Sequence, residues 1–98
     1  MKPRIHWTER SANDLDVIEA FIGQHSALHA ASTIARIIER VEDLPSLPHL
    51  GPMVRERNDE NLRELLEGSY RIVYRIVDES RIDIAAVVHS ARRLPGGL

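Results

Sequence analysis

Between Tyr70 and His89 the chain repeats apolar residues at every second position. Tyr70, Ile72, Tyr74 and Ile76 alternate with Arg71, Val73, Arg75 and Val77, and a second run follows from Ile82 through Ala85-Ala86-Val87-Val88 to His89. A period of two is the signature of a half-buried strand, so the segment reads as two antiparallel strands, residues 70–77 and 81–89. With Asp78-Glu79-Ser80 as a three-residue turn, Tyr70 faces Val88, Ile72 faces Ala86, Tyr74 faces Ile84 and Ile76 faces Ile82. All the large apolar side chains then share one side, and a one-residue slip would move them to the other. The opposite side carries Arg71, Arg75, Asp83 and His89, with Arg75 across from Asp83 as an opposite-charge pair. Arg71 lies across from Val87, with His89 its diagonal neighbour at about 7–8 Å.

The remaining segments supply layers for this hairpin to pack on. Residues 3–7 suggest a short opening strand, with Ile5 and Trp7 on one face and Arg4 and His6 on the other. Thr8 is placed to N-cap a helix reaching about Ile22, with Glu9 in its first turn and Gly23 as its stop. Ala12, Leu15, Ile18 and Ile22 form its apolar face. A second helix from after Ser26 to about Asp43 carries the stripe Leu28, Ala31, Ile34, Ala35, Ile38 and Val41, and Pro45 ends it. A proline-rich loop, residues 44–52, leads to residues 62–67, which read as a strand despite the helix propensity of Leu, Arg and Glu. The expected architecture is α+β in the order β-α-α-β-β-β. An antiparallel two-helix hairpin covers one face of a small, mostly antiparallel sheet and leaves the other partly open. No linker or composition break divides residues 1–98, which read as one domain.

The chain has 98 residues, no cysteine and a formal net charge of −2. A disulfide framework is excluded, and no apolar run approaches the roughly 20 residues that span a bilayer. No signal-peptide pattern opens the sequence, and a cytoplasmic, membrane-free protein is expected. The charge is uneven: residues 1–50 hold five basic and seven acidic side chains, whereas residues 84–98 hold Arg92 and Arg93 and no acid. Twelve of the thirteen basic residues are arginine, whose planar fork suits phosphates and carboxylates.

Arg71 and His89 are the pair to single out. A histidine near neutral pKa can act as general acid or base, and a neighbouring arginine can hold a phosphate. Arg92 and Arg93 bring further positive charge to the same rim. A solvated histidine at a strand end and a surface Arg75–Asp83 pair are the plainer reading of the same residues. Glycine-rich phosphate loops and helix-borne His-x-x-x-His metal pairs are absent: His25 and His29 are four apart but straddle a helix start with no supporting carboxylate, the five histidines are scattered, and Ser69 and Ser90 lack a nucleophile's elbow. No cofactor is expected.

The element order, the Pro/Gly loop, Leu62-Arg63-Glu64-Leu65, Tyr70-Arg71-Ile72-Val73-Tyr74-Arg75 and the closing Val87-Val88-His89-Ser90-Ala91-Arg92-Arg93 resemble the RelE/ParE superfamily. These are toxins of bacterial type II toxin–antitoxin modules, often carried for plasmid stabilisation. The resemblance implies a cytoplasmic toxin held in a hetero-oligomer with a cognate antitoxin. It also implies one of two targets: DNA gyrase for ParE-like members, or the ribosome and its mRNA for RelE- and YoeB-like endoribonucleases. For a ribonuclease, Arg71 matches the arginine at the scissile phosphate, His89 a catalytic histidine and Arg93 (or Arg92) a late arginine. Arg63, Arg75 and Arg92 are then candidates for target or partner contacts. The lysines that the nucleases carry on the preceding strand have no counterpart, since Leu62 and Glu64 stand there. The tail has no tyrosine, which leaves Glu56 as a substitute base. The gyrase-directed, ParE-like reading is therefore favoured, with mRNA cleavage as the alternative. A family member that has kept antitoxin binding and lost toxicity is the third reading.

Overall fold

The computed structural model describes residues 1–98. Its elements are β1 (Arg4–Trp7), α1 (Glu9–Gly23), α2 (Ala27–Glu42), β2 (Leu62–Glu67), β3 (Tyr70–Asp78) and β4 (Arg81–His89). The strands form one mixed sheet in the order β1-β4-β3-β2. β1 runs parallel to β4, and the other pairs are antiparallel. The expected α+β order is the observed one, and residues 62–67 are indeed a strand.

Both helices start where the sequence places their caps. The Thr8 hydroxyl accepts the Ser11 N–H at 3.2 Å and donates to the Ile84 carbonyl at 2.7 Å, so one side chain caps α1 and pins it to β4. Ser26 accepts the His29 N–H at 3.0 Å and starts α2. Their buried faces differ from the expected stripes. On α2 the buried residues are Ala30, Thr33, Ile37 and Val41, while Leu28 is 83% exposed and Ile38 39%. On α1 Ile18 is buried and Leu15 and Ile22 pack beside it, but Ala12 is exposed and Ser11 takes a fully buried place. Small and apolar residues cover a wide arc of α2, and the sheet has room for only one side of it. The rest remains in solvent as an apolar outer stripe.

The hairpin register holds only in its middle. Tyr74↔Ile84, Arg75↔Asp83 and Ile76↔Ile82 pair as expected. At the turn Asp78 pairs with Arg81, which leaves a two-residue loop, Glu79-Ser80, and makes Val77 an extra residue on β3. The Asp78 carboxylate shapes that loop by accepting the Ser80 N–H at 2.7 Å and its hydroxyl at 2.6 Å. A second irregularity lies beyond Tyr74, where Val73 pairs with Ala86, Ile72 with Val87, Arg71 with Val88 and Tyr70 with His89. Ala85 is the extra residue on β4, a bulge that shifts everything beyond it by one position.

Two cores result. Ile72, Tyr74, Ile82, Ile84, Val87 and Leu65 face the helices and pack with Ile18, Ile37, Val41 and Leu44. The opposite face is not simply open. Val54, Leu62, Val73 and Ala86 form a second buried cluster, with Leu94 and Leu98 of the C-terminal tail packed against it.

Tyr74 ties the proline-rich loop to the first core. Its hydroxyl donates to the Pro48 carbonyl at 2.7 Å and accepts the Gly51 N–H at 3.1 Å, and burial pushes its pKa up. A methyl group added at Gly51 would overlap the Glu64 carbonyl and crowd the Tyr74 ring, so only glycine lets the loop lie this close to β2. Tyr74→Phe leaves the Gly51 N–H and Pro48 carbonyl unpaired and is expected to lower unfolding free energy by about 1–3 kcal/mol. Gly51→Ala is expected to lower it by a similar 1–3 kcal/mol through overpacking. Chemical denaturation of the two variants checks both values.

Candidate functional site on the outer face of the sheet

Arg71, Val73 and Arg75 of β3 point to the face opposite the helices. Arg71 is buried and gripped by two carboxylates. Its Nε and Nη2 donate to Glu64 at 2.9 and 2.6 Å, and its Nη1 and Nη2 donate to Glu56 at 2.8 and 2.9 Å. Glu64 comes from β2, where it sits opposite Val73 and so diagonal to Arg71. Glu56 comes from the loop before β2. Four of the guanidinium's five N–H donors are used in two bidentate pairs. The Glu56 and Glu64 hydrogen bonds raise the Arg71 pKa still further above its ordinary value. The bond to Arg71 holds the Glu56 carboxyl down at about 2.

These contacts decide what the cluster can do. Two carboxylates on one guanidinium leave a formal surplus of negative charge, so a phosphate approaching Arg71 meets repulsion and no vacant fork. A carboxylate with a pKa of about 2 is a poor proton acceptor near neutrality, because a general base works best when its pKa lies near the working pH. Glu56 therefore serves as a partner of Arg71 and is badly suited to the role of substitute base.

The expected pairing of Arg71 with His89 is not made. The Ala85 bulge places His89 opposite Tyr70, on the helix side of the sheet's end, while Arg71 faces the other way. The His89 ring meets the Tyr70 ring edge-on, with centroids 5.6 Å apart. Its Nδ1 accepts the Ala91 N–H at 3.1 Å. The Arg75–Asp83 ion pair is also absent, although the two residues are register partners. Arg75 turns to Asp59 at 2.6 Å, and Asp83 pairs with Arg81 at 3.0 Å and His6 at 3.1 Å. The Arg75 hydrogen bond, then the Asn61 N–H, lowers the Asp59 pKa.

Five further arginines of the loop, β2 and the tail fall into two groups. Arg63 is spent on backbone, donating to the Gly51 carbonyl at 2.9 Å and the Glu60 carbonyl at 3.0 Å. Arg57 donates to the Pro95 carbonyl at 2.8 Å and so holds the C-terminal tail over the second cluster. Arg92 and Arg93 follow β4 on an exposed turn, free of any ion pair. Arg55, which no motif or periodicity in the sequence marks, is likewise exposed and makes no ion pair. No group of His, Asp and Glu side chains converges as a metal site.

The loop between Val54 and Leu62 is thus a clasp, in which Glu56, Arg57 and Asp59 hold Arg71, the tail and Arg75 respectively. The Arg71 and Glu64 side chains are 11% and 14% exposed, so removing the guanidinium strands a largely buried carboxylate. Arg71→Ala is expected to cost about 3 kcal/mol of stability, the low end for breaking a buried pair. The folded pKa of Glu56 lies below its unfolded value, so its contribution is complete above about pH 4.5 and is lost as pH falls towards 2. A urea midpoint followed from pH 5 to pH 2.5 should fall, and Glu56→Gln should fall less steeply over the same range.

The chain matches the family model described as the ParE toxin of type II toxin–antitoxin systems, parDE, over residues 5–94. No curated protein sequence matches it. Among solved structures it resembles a chain of the chromosomal ParDE toxin–antitoxin system from P. aeruginosa, with 23% identity and a TM-score of 0.73, covering 90% of this chain and 96% of that one. It also resembles a chain of the RelBE2 toxin–antitoxin complex from Mycobacterium tuberculosis, with 24% identity and a TM-score of 0.65 over 91% and 99% of the two chains. The YoeB dimer from Staphylococcus aureus is similar at 16% identity and a TM-score of 0.59, over 88% and 94%. At these identities the structural likeness speaks for a shared fold, and the family rests on the match that spans nearly the whole sequence. The chain belongs to the ParE toxin family of type II toxin–antitoxin systems.

Proposed function

We propose that this toxin arrests growth by docking on a protein target, DNA gyrase, and that a cognate antitoxin neutralises it in the cytoplasm. The observation that carries the reading is the double carboxylate lock on Arg71. A ribonuclease of this fold would need that arginine open to a phosphate, with an acid or base on the same face. Here the arginine is neutralised, and His89 belongs to the other side of the sheet.

Docking on a target suits the residues that remain exposed and unpaired. Arg92 and Arg93 stand together beyond β4, and Arg55 projects from the clasp loop. Interface energy in such contacts concentrates in a few anchors, among which arginine is over-represented. For the antitoxin, the outer stripe of α2 (Leu28, Ala31, Ala35 and Ile38) offers the spacing that an amphipathic partner helix packs against. mRNA cleavage stays as the second reading because His89 is exposed next to the two unpaired arginines.

Induction without antitoxin, with nascent protein and nascent DNA pulse-labelled over the first minutes, separates the two. DNA synthesis is expected to fail first, with a DNA-damage response. Early collapse of protein synthesis would assign the ribonuclease role instead, and harmless expression would mark a member that only binds antitoxin. His89→Ala is expected to leave growth arrest largely intact. Arg92→Glu with Arg93→Glu should raise the inducer level needed for arrest by about tenfold, equivalent to roughly 1.4 kcal/mol of lost binding. His89→Ala is the cleaner variant of the catalytic idea, because Arg71→Ala weakens the fold itself.

A further inference from the structure

β1 ends at Trp7, whose ring is half-buried on the helix side of the sheet, packed beside the main core. Next to it an open groove of about 320 Å³ lies between the two helices. Leu15 of α1 and Ile34 and Ile38 of α2 share its apolar floor with Trp7. Asp16 and Glu19, both exposed, stand along its α1 side. Neither carboxylate makes an ion pair.

The charge around the groove is one-sided. Arg10 acts on Asp14, whose carboxylate bonds to β4, and so belongs to the sheet side of α1. Arg36 and Arg40 pair with Glu67 and Asp43, each at 3.7 Å, around a separate cleft on the other side of α2. No basic residue lines the groove itself. Its dimensions narrow the choice of occupant. At a rise of 1.5 Å per residue, the stretch from Ala12 to Glu19 is about 10 Å long. Two turns of a helix roughly 10 Å across would displace more than twice the volume of the groove, whereas one extended alkyl chain fits along it.

We propose that this groove binds a linear aliphatic polyamine. The methylene stems lie on Trp7, Leu15, Ile34 and Ile38, and the ammonium groups reach Asp16 and Glu19 on the rim. Tryptophan is also the aromatic residue that attracts an ammonium most strongly. A bare metal cation would use the carboxylates and gain nothing from the floor, and a neutral chain would do the reverse. The site does not depend on which target the toxin attacks. Ile38 also belongs to the outer stripe of α2, so a polyamine held here would compete with a helix laid on that stripe.

Trp7 is the chain's single tryptophan, so its emission reports on this groove alone. The full-length, isotope-labelled chain is titrated with spermidine, with Mg²⁺ at matched ionic strength and with 1,8-octanediol. Spermidine is expected to change the Trp7 emission, to move amide resonances across residues 7–19 and 34–38, and to half-saturate at a concentration at least tenfold below either control. Asp16→Asn combined with Glu19→Gln alters only exposed, unpaired side chains and should raise that concentration at least tenfold while the rest of the amide spectrum stays in place. Equal midpoints for spermidine and Mg²⁺, shifts centred on other acidic patches such as Glu39 and Asp43, or unchanged binding by the double variant would overturn the proposal. So would a basic amphipathic peptide that shifts the groove residues where spermidine does not, since the face would then belong to a partner helix.

Discussion

One extra residue in β4, Ala85, sets the geography of the whole outer face. Below it the strand pairs with β3 in one register, and above it in another. Side chains alternate along a strand, so this single insertion decides whether each residue near the C-terminal end belongs to the helix-facing core or to the opposite side. It sends Val87 into the main core and Ala86 into the second cluster. It also separates His89 from Arg71. The insertion is anchored, because the Thr8 hydroxyl holds the Ile84 carbonyl just before it and the Asp14 carboxylate accepts the Val87 N–H at 2.9 Å just after it. Burial raises the Asp14 pKa even as that backbone bond lowers it. The start of α1 thus holds the irregular part of the sheet in place.

The second consequence concerns charge. An arginine turned to an open sheet face would be an invitation to polyanions, yet this protein fills the invitation internally. Glu64 reaches Arg71 along the sheet and Glu56 reaches it from the clasp loop, while Asp59 does the same for Arg75. These pairs differ in worth. Arg71 and Glu64 are mostly withdrawn from water, so each needs the other. The Arg75 and Asp59 side chains are about a third exposed, and such a pair is screened by solvent and salt. The clasp is consequently firm at its Arg71 end and soft at its Asp59 end.

How much of this was legible in the sequence depends on what kind of interaction fixed it. Helix starts were readable because a cap is a local device: Thr8 and Ser26 act on residues three positions away. The middle of the hairpin was readable because Tyr74, Ile76, Ile82 and Ile84 cannot exchange faces with their polar neighbours. The upper half was not, since Ala85-Ala86 and Val87-Val88 are consecutive apolar pairs that fit either register equally well. α2 failed for a related reason. With Leu28, Ala30, Ala31, Ile34, Ala35, Ile37, Ile38 and Val41 spread over a wide arc, periodicity says that a face is apolar but not which part of it the sheet will take. The partner of Arg71 was half legible. The Gly68-Ser69 turn, with Gly68 at a φ of +57°, fixes the β2–β3 register and with it the Glu64 diagonal. Glu56 and Asp59 sit in an aperiodic loop, and no spacing rule carries a loop residue to a strand.

The surfaces left over are the ones open to partners. Inside the fold the cations are satisfied by this same chain: Arg71 and Arg75 by carboxylates, Arg63 and Arg57 by backbone carbonyls. What remains for other molecules is the apolar stripe of α2, the groove beside it and a few arginines at the margins. None of these brings an acid and a base together around a reacting phosphate, whereas each supplies what a protein surface needs from another: apolar area, a carboxylate or a guanidinium fork. The sequestering of Arg71 and the exposure of these patches are linked. The carboxylates that close the centre of the sheet's outer face are the same ones that leave Arg55 and Arg40 short of partners at the rim. On the proposed reading, recognition moves from the middle of the face to its edges, where a protein segment fits more readily than a nucleotide.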